Sequence, residues 1–144
     1  MVRQQSGFTL IEVVIALSIV AILATLALTS YSSYSQRASI STGLILTGPI
    51  KLSVYEYFMK NSKFPETNGE AGLFAADTYS NSHVRSISIN ADPAPGTITI
   101  AYKGERAISE GDTLLLIPSK SAGGVSWTCT SFTLLGNLVP ANCR

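Results

Sequence analysis

The first long pattern in the chain is an apolar run. Residues 8–30 read FTLIEVVIALSIVAILATLALTS, and 17 of these 23 residues are apolar. No charged residue falls between Val13 and Gln36. A run of this length predicts a helix able to cross a bilayer, and a helix apolar all round is hard to bury in a small soluble domain. Beyond it, Tyr31, Ala38, Ile45, Leu52 and Met59 recur every seven residues, with Tyr34 and Tyr55 beside them. That spacing is helical, so one helix is read from about Phe8 to Lys60, roughly 80 Å at 1.5 Å per residue. Its second half is expected to pack, as an amphipathic helix, under a small head. Gly48-Pro49 interrupts the pattern. Proline has no N–H to donate to the Ile45 carbonyl, so a kink or a restart is expected there.

Residues 61–83 read as loop, punctuated by Pro65, Asn68, Gly69 and Gly72. Phe64, Leu73 and Phe74 are expected to tuck against the head. Strand patterns follow at 84–89, 97–102, 113–117 and 125–130, with a turn over Asp92–Gly96 and a stop at Pro118. Four successive strands with short connections predict an antiparallel sheet, one face of it on the helix. The fold class is therefore α+β, a long N-terminal helix packed against a four-stranded antiparallel sheet. No internal repeat is visible.

Composition places the greasiness. Mean hydropathy is +0.29 and charged residues make up 13%, against about 25% in an ordinary soluble domain. Residues 31–144 hold 47 apolar residues out of 114, so the excess belongs to the N-terminal run. An apolar share of 46% excludes a wholly disordered chain. The net charge of +1 gives neither the basic excess that nucleic acid attracts nor an acidic tail. Three readings of the run stay open on these grounds. A secretory signal would need an A-x-A site, and none follows at Leu28–Tyr31. A plain anchor would have no use for Glu12, whose carboxylate costs roughly 2.5–3.5 kcal/mol at a helix centre in lipid and less near an end. A self-assembling subunit would use it, if another subunit supplied a positive charge at that depth.

Ser6-Gly7-Phe8-Thr9-Leu10-Ile11-Glu12 resembles the cleavage and methylation motif of type IV pilins, of the type IVa kind. The resemblance implies a leader at 1–7, a transmembrane and filament-core half-helix at 8–30, an amphipathic half-helix at 31–60 and a globular head at 61–144. It implies cutting of the Gly7–Phe8 bond by a prepilin peptidase, N-methylation of Phe8, and Glu12 as an assembly carboxylate that sets subunit register. Gly7 has no side chain to hinder a protease at that bond. Many members carry a proline where Thr29 stands; Thr29 and Ser30 can instead bond back to the preceding turn. Helix kinking is referred to Gly48 and Pro49.

Cys129 and Cys143 are spaced as neither a zinc pair nor a C-x-x-C motif. The resemblance implies that they close a C-terminal disulfide loop, in the oxidising space where such bonds persist. The lone histidine, His83, sits on a loop, and there is no G-x-S-x-G, H-E-x-x-H or P-loop. No enzyme activity, cofactor or metal is expected. The resemblance also implies the partners: copies of the chain in a helical filament, the peptidase, the membrane and an inner-membrane assembly platform. The chain is expected in the bacterial inner membrane before assembly and in an extracellular pilus afterwards, serving adhesion, twitching motility or DNA uptake. Rival readings are a minor DNA-uptake pilin and a pseudopilin of a type II secretion system. DNA contact would require Lys103, Arg106, Lys120 and Arg144 to gather on one face, and residues 61–144 carry six basic against seven acidic residues.

Overall fold

A computed structural model describes Gly7 and residues 9–144. The expectations for Phe8, and for the leader apart from Gly7, lie outside the described residues. Helix α1 spans Leu10–Asn61, 52 residues, or about 78 Å of axis. Strands β1 (Val84–Asn90), β2 (Thr97–Tyr102), β3 (Thr113–Ser121) and β4 (Gly124–Thr130) follow, with short 3-10 helices at Ala76–Tyr79 and Ala141–Cys143. The chain divides into two compact units, residues 1–34 and 35–144. Among its described residues the first is helix from Leu10 onward, preceded by Gly7 and Thr9. The second holds the rest of α1 and the antiparallel sheet β1-β2-β3-β4.

The helix does not restart at Pro49, because helical backbone continues through Gly48 and Pro49. Ile45, Gly48 and Pro49 all lie on the exposed side. The carbonyl that Pro49 leaves without a partner therefore opens outward and not into the core. Thr29 does bond back, its hydroxyl donating to the Leu26 carbonyl at 2.9 Å.

The face of α1 against the sheet differs from the seven-residue stripe. Buried positions are Gln36, Ser39, Ile40, Gly43, Thr47, Ile50 and Val54, spaced by three and four residues as one helical face requires. Tyr31, Tyr34, Ile45, Leu52 and Met59 are exposed, Ile45 to 76%. Polar residues can occupy the inner face because their hydroxyls are satisfied by the helix itself. Ser39 donates to the Ser35 carbonyl at 3.2 Å and Thr47 to the Leu44 carbonyl at 2.7 Å.

Gly43 decides how closely the sheet approaches. The Tyr102 hydroxyl donates to the Ile40 carbonyl at 2.8 Å. A Cβ at position 43 would lie 2.5 Å from that hydroxyl and 3.0 Å from Ile100. Tyr102, Ile40, Ile87, Ile98, Ile100 and Leu114 are fully buried around this contact.

β3 does not stop at Pro118. Pairing of β2 with β3 ends at Ile98↔Leu116, whereas β3 pairs with β4 as far as Ser121↔Gly124. The missing N–H of Pro118 falls beyond the end of β2, where no ladder bond is lost. Gly96, at φ +83°, makes room there, since a Cβ would meet Pro118 and Phe64 at 2.9 Å. Phe64 and Leu73 pack against the core, but Phe74 is left 74% exposed. Asn68 explains the difference: its side-chain amide bonds the Phe74 and Ile87 carbonyls and accepts the Ile89 N–H, tying the loop backbone to β1. Cys129 and Cys143 form a disulfide.

Burial raises the Tyr102 hydroxyl above the ordinary tyrosine range. The unfolded chain therefore loses this proton first, and folding stability falls as pH rises above about 10. Tyr102→Phe is expected to cost about 1 kcal/mol at neutral pH and to flatten that alkaline loss, read by denaturation of the full chain in detergent at pH 8 to 11. Cys129→Ser is expected to remove about 3 kcal/mol, a fall in melting temperature of roughly 10 °C or more. An unchanged melting curve would show that the loop adds nothing to stability.

Candidate functional site

The start of α1 carries the first candidate chemistry. Glu12 Oε2 accepts the Thr9 N–H at 2.8 Å and the Thr9 hydroxyl at 2.9 Å. The Glu12 N–H points back at the Thr9 hydroxyl, 3.4 Å away. This is a capping box: Thr9 precedes the helix and the glutamate three residues on reaches back to it. Within a single chain, then, one carboxylate oxygen has partners. Oε1 takes no hydrogen bond among the described residues, and a carboxylate accepts up to about four. The arrangement holds Glu12 in place while leaving half of it open. Sequence reading singled out Glu12 but missed Thr9, although Thr-x-x-Glu before an apolar run is the usual signal for such a box.

Leu10, Ile11, Val13, Val14, Ile15, Leu17, Ile19, Val20, Ile22, Leu23, Leu26 and Leu28 are all exposed. Nothing in the described chain covers them. The helix is long and apolar enough to cross a membrane, with the qualifying stretch near the N-terminus.

Of the basic residues singled out for DNA, Lys103 and Arg106 lie in the loop after β2, and Lys120 lies toward the other end of β3. Lys103 Nζ bonds the Asn81 carbonyl. Arg106 lies in the same loop after β2, at φ 56°, beside Glu105, which reaches His83 Nδ1 at 3.0 Å. Lys120 lies near the far end of β3, about 23 Å along the strand from Thr113. Its ammonium sits 5.4 Å from the centre of the Phe58 ring, which stacks on Phe64. Arg144 Nε donates to the Val139 carbonyl at 3.1 Å. Lys51, which the sequence reading passed over, lies 5.6 Å from the Trp127 ring centre. Its burial lowers the affinity of the ammonium for its proton. These are cation–π contacts joining helix to sheet. Among the described residues no group of three metal-binding side chains is found.

Comparison with known proteins agrees with both halves of the chain. The family model for the prokaryotic N-terminal methylation motif matches residues 2–28, and that for pilin, a bacterial filament family, matches residues 36–144. The fimbrial protein EcpC of Eikenella corrodens is 35% identical over 142 residues, 97% of this chain and 91% of its own length. The type IV major pilin protein PilE of Neisseria gonorrhoeae is 32% identical over 127 residues, 87% of this chain and 74% of its own. A fimbrial protein of Pseudomonas aeruginosa is 25% identical over 152 residues, 98% of this chain and 97% of its own. With three quarters of its residues matched as pilin, an apolar helix behind a methylation motif and a disulfide-closed sheet, this chain belongs to the pilin family of structural filament subunits, which are not enzymes.

Proposed function

We propose that this chain is a structural subunit of a type IV pilus, made as a precursor, held in the inner membrane and polymerised into a surface fibre. A prepilin peptidase cuts the Gly7–Phe8 bond and Phe8 is N-methylated. An assembly platform in the inner membrane then moves the subunit from lipid into the fibre. The fibre serves adhesion or twitching motility. The observation that carries this reading is the uncovered apolar start of α1, set directly behind the methylation motif.

The chemistry is consistent. The cut leaves an amine on Phe8, and methylation keeps it basic. Removing residues 1–7 takes Arg3 with it and leaves the side chains neutral overall, which suits dense packing of copies. Glu12 Oε1 offers an acceptor to the amine of a neighbouring copy. A buried pair of this kind gains little net energy, but leaving either charge alone in an apolar setting is costly. Register follows from that penalty. DNA uptake gains no support from the head, since Lys103 and Arg106 lie at one end of β3 and Lys120 at the other.

Sheared surface filaments should contain this chain with N-methylated Phe8 as its first residue, read by mass spectrometry of the N-terminal peptide. Glu12→Ala should lower filament yield by about tenfold or more, equivalent to at least about 1.4 kcal/mol, with the membrane pool of subunit unchanged. Normal filament yield from Glu12→Ala would remove the assembly role from this carboxylate.

A further inference from the structure

The head carries its charges unevenly. No acidic residue falls between Val13 and Tyr55, or between Thr113 and Arg144. From Ser35 onward these stretches build most of the head's helix, β3, β4 and the loop after β4. Their cations are Arg37, Lys51, Lys120 and Arg144. Two of these are committed, Lys51 over the Trp127 ring and Lys120 over the Phe58 ring. Arg37 and Arg144 are exposed, and they take part in neither ion pair found among the described residues.

One short segment holds both arginines. Arg37 Nε donates to the Asn137 carbonyl at 3.0 Å, and Arg144 Nε donates to the Val139 carbonyl at 3.1 Å. Residues two apart have α-carbons at most about 7 Å from each other, so the two guanidinium groups are anchored on neighbouring carbonyls. Each uses its Nε, and the terminal N–H groups of each find no acceptor among the described residues. Such forks match a phosphate, whose oxygens they bind in pairs. Beside Arg144 the loop encloses a cavity of about 500 Å³, with an apolar wall of Leu134, Val139 and Cys143, none more than 7% exposed. A cation set next to an apolar wall suits an amphiphile better than a free ion.

The course of the chain brings this site to a bilayer. The head begins at Ser35, and Arg37 follows nine residues after Leu28, the last aliphatic side chain of the exposed apolar run. Tyr31 and Tyr34 lie between them in sequence, both exposed, and tyrosines flanking a spanning run commonly lie at the level of lipid headgroups. We propose that Arg37 and Arg144 together hold the phosphate of an acidic phospholipid in the outward leaflet of the inner membrane, with the glycerol end of the lipid against the Leu134–Val139–Cys143 wall. This rests on the membrane stage of the filament reading above. It gives the head of the waiting subunit a seat on the lipid surface, to be vacated on entry into the fibre.

Hydrogen exchange of the unsubstituted full chain in nanodiscs reads the site directly. A phosphate bound to both arginines holds the loop closed. The Leu138 and Cys143 amides, which donate to the Leu135 and Pro140 carbonyls, report that closure. With three parts phosphatidylcholine to one part phosphatidylglycerol, these amides should exchange at least about threefold more slowly than in phosphatidylcholine alone. Peptides containing Lys51 and Lys120 should not change. Arg37→Gln/Arg144→Gln should abolish the difference, and Lys51→Gln/Lys120→Gln should keep it. The comparison of lipids needs no variant, so a folding defect in either pair leaves it intact. No slowing with phosphatidylglycerol, or equal slowing at Lys51 and Lys120, overturns the lipid site. The same slowing in phosphatidylcholine on adding inorganic phosphate marks a free-anion site and overturns it too, as does slowing on adding a DNA duplex. These outcomes leave the filament reading standing. Recovery of the full chain from the soluble fraction of cells, and not from their membranes, overturns that reading itself.

Discussion

α1 has more apolar surface than its own chain covers. The sheet takes one face, from Gln36 to Val54, and the exposed side chains from Leu10 to Leu28 receive no cover among the described residues. At about 25 cal/mol per Å² of apolar surface, leaving that run in water is strongly unfavourable. On the proposed function the run is covered twice, first by lipid and later by other copies. Lipid tails are about as apolar as leucine side chains, so exchange between the two covers changes the hydrophobic term little. Polar groups at the helix start then carry the selectivity. Glu12 is poised for this, since Thr9 holds one of its oxygens and the other takes no hydrogen bond among the described residues.

The head is built around the same economy of faces. Gly43 lets Tyr102 reach the Ile40 carbonyl, and this close approach fixes which side of α1 turns inward. The outward side keeps Tyr31, Tyr34, Ile45, Leu52 and Met59. The sheet edges are also unequal. Asn68 satisfies the outer N–H and carbonyl of β1 at Ile89 and Ile87, as a neighbouring strand would. Covering an edge in this way prevents unwanted strand pairing. At the other edge, the disulfide between Cys129 and Cys143 ties the closing loop to β4.

Much of this was legible in the residues. Alternation marked β1, β2 and β4, a short apolar run marked β3, and the long apolar run marked the first half of α1, because these signals depend on local pattern alone. The inner face of α1 was not legible. A period of seven picked out Tyr31, Ile45 and Met59, while the buried face carries Ser39 and Thr47, whose hydroxyls bond within the helix and so lose their polarity to the outside. Pro118 looked like a strand end because register, which sets where its missing N–H falls, is a property of the partner strand. Phe74 looked like core because hydropathy does not show that Asn68 pins the loop with the ring turned out. The Glu12 motif was read as a signal, but its capping partner Thr9 was passed over.

The central claim is that residues 10–34 of α1 are covered by copies of the same chain once assembled. Cryo-electron microscopy of sheared filaments from cells expressing the unsubstituted chain tests it most directly. The expected reconstruction has this chain as its subunit, with residues 10–34 packed against one another along the filament axis. A reconstruction that places this segment on the outer surface, or filaments built without this chain, would contradict the account.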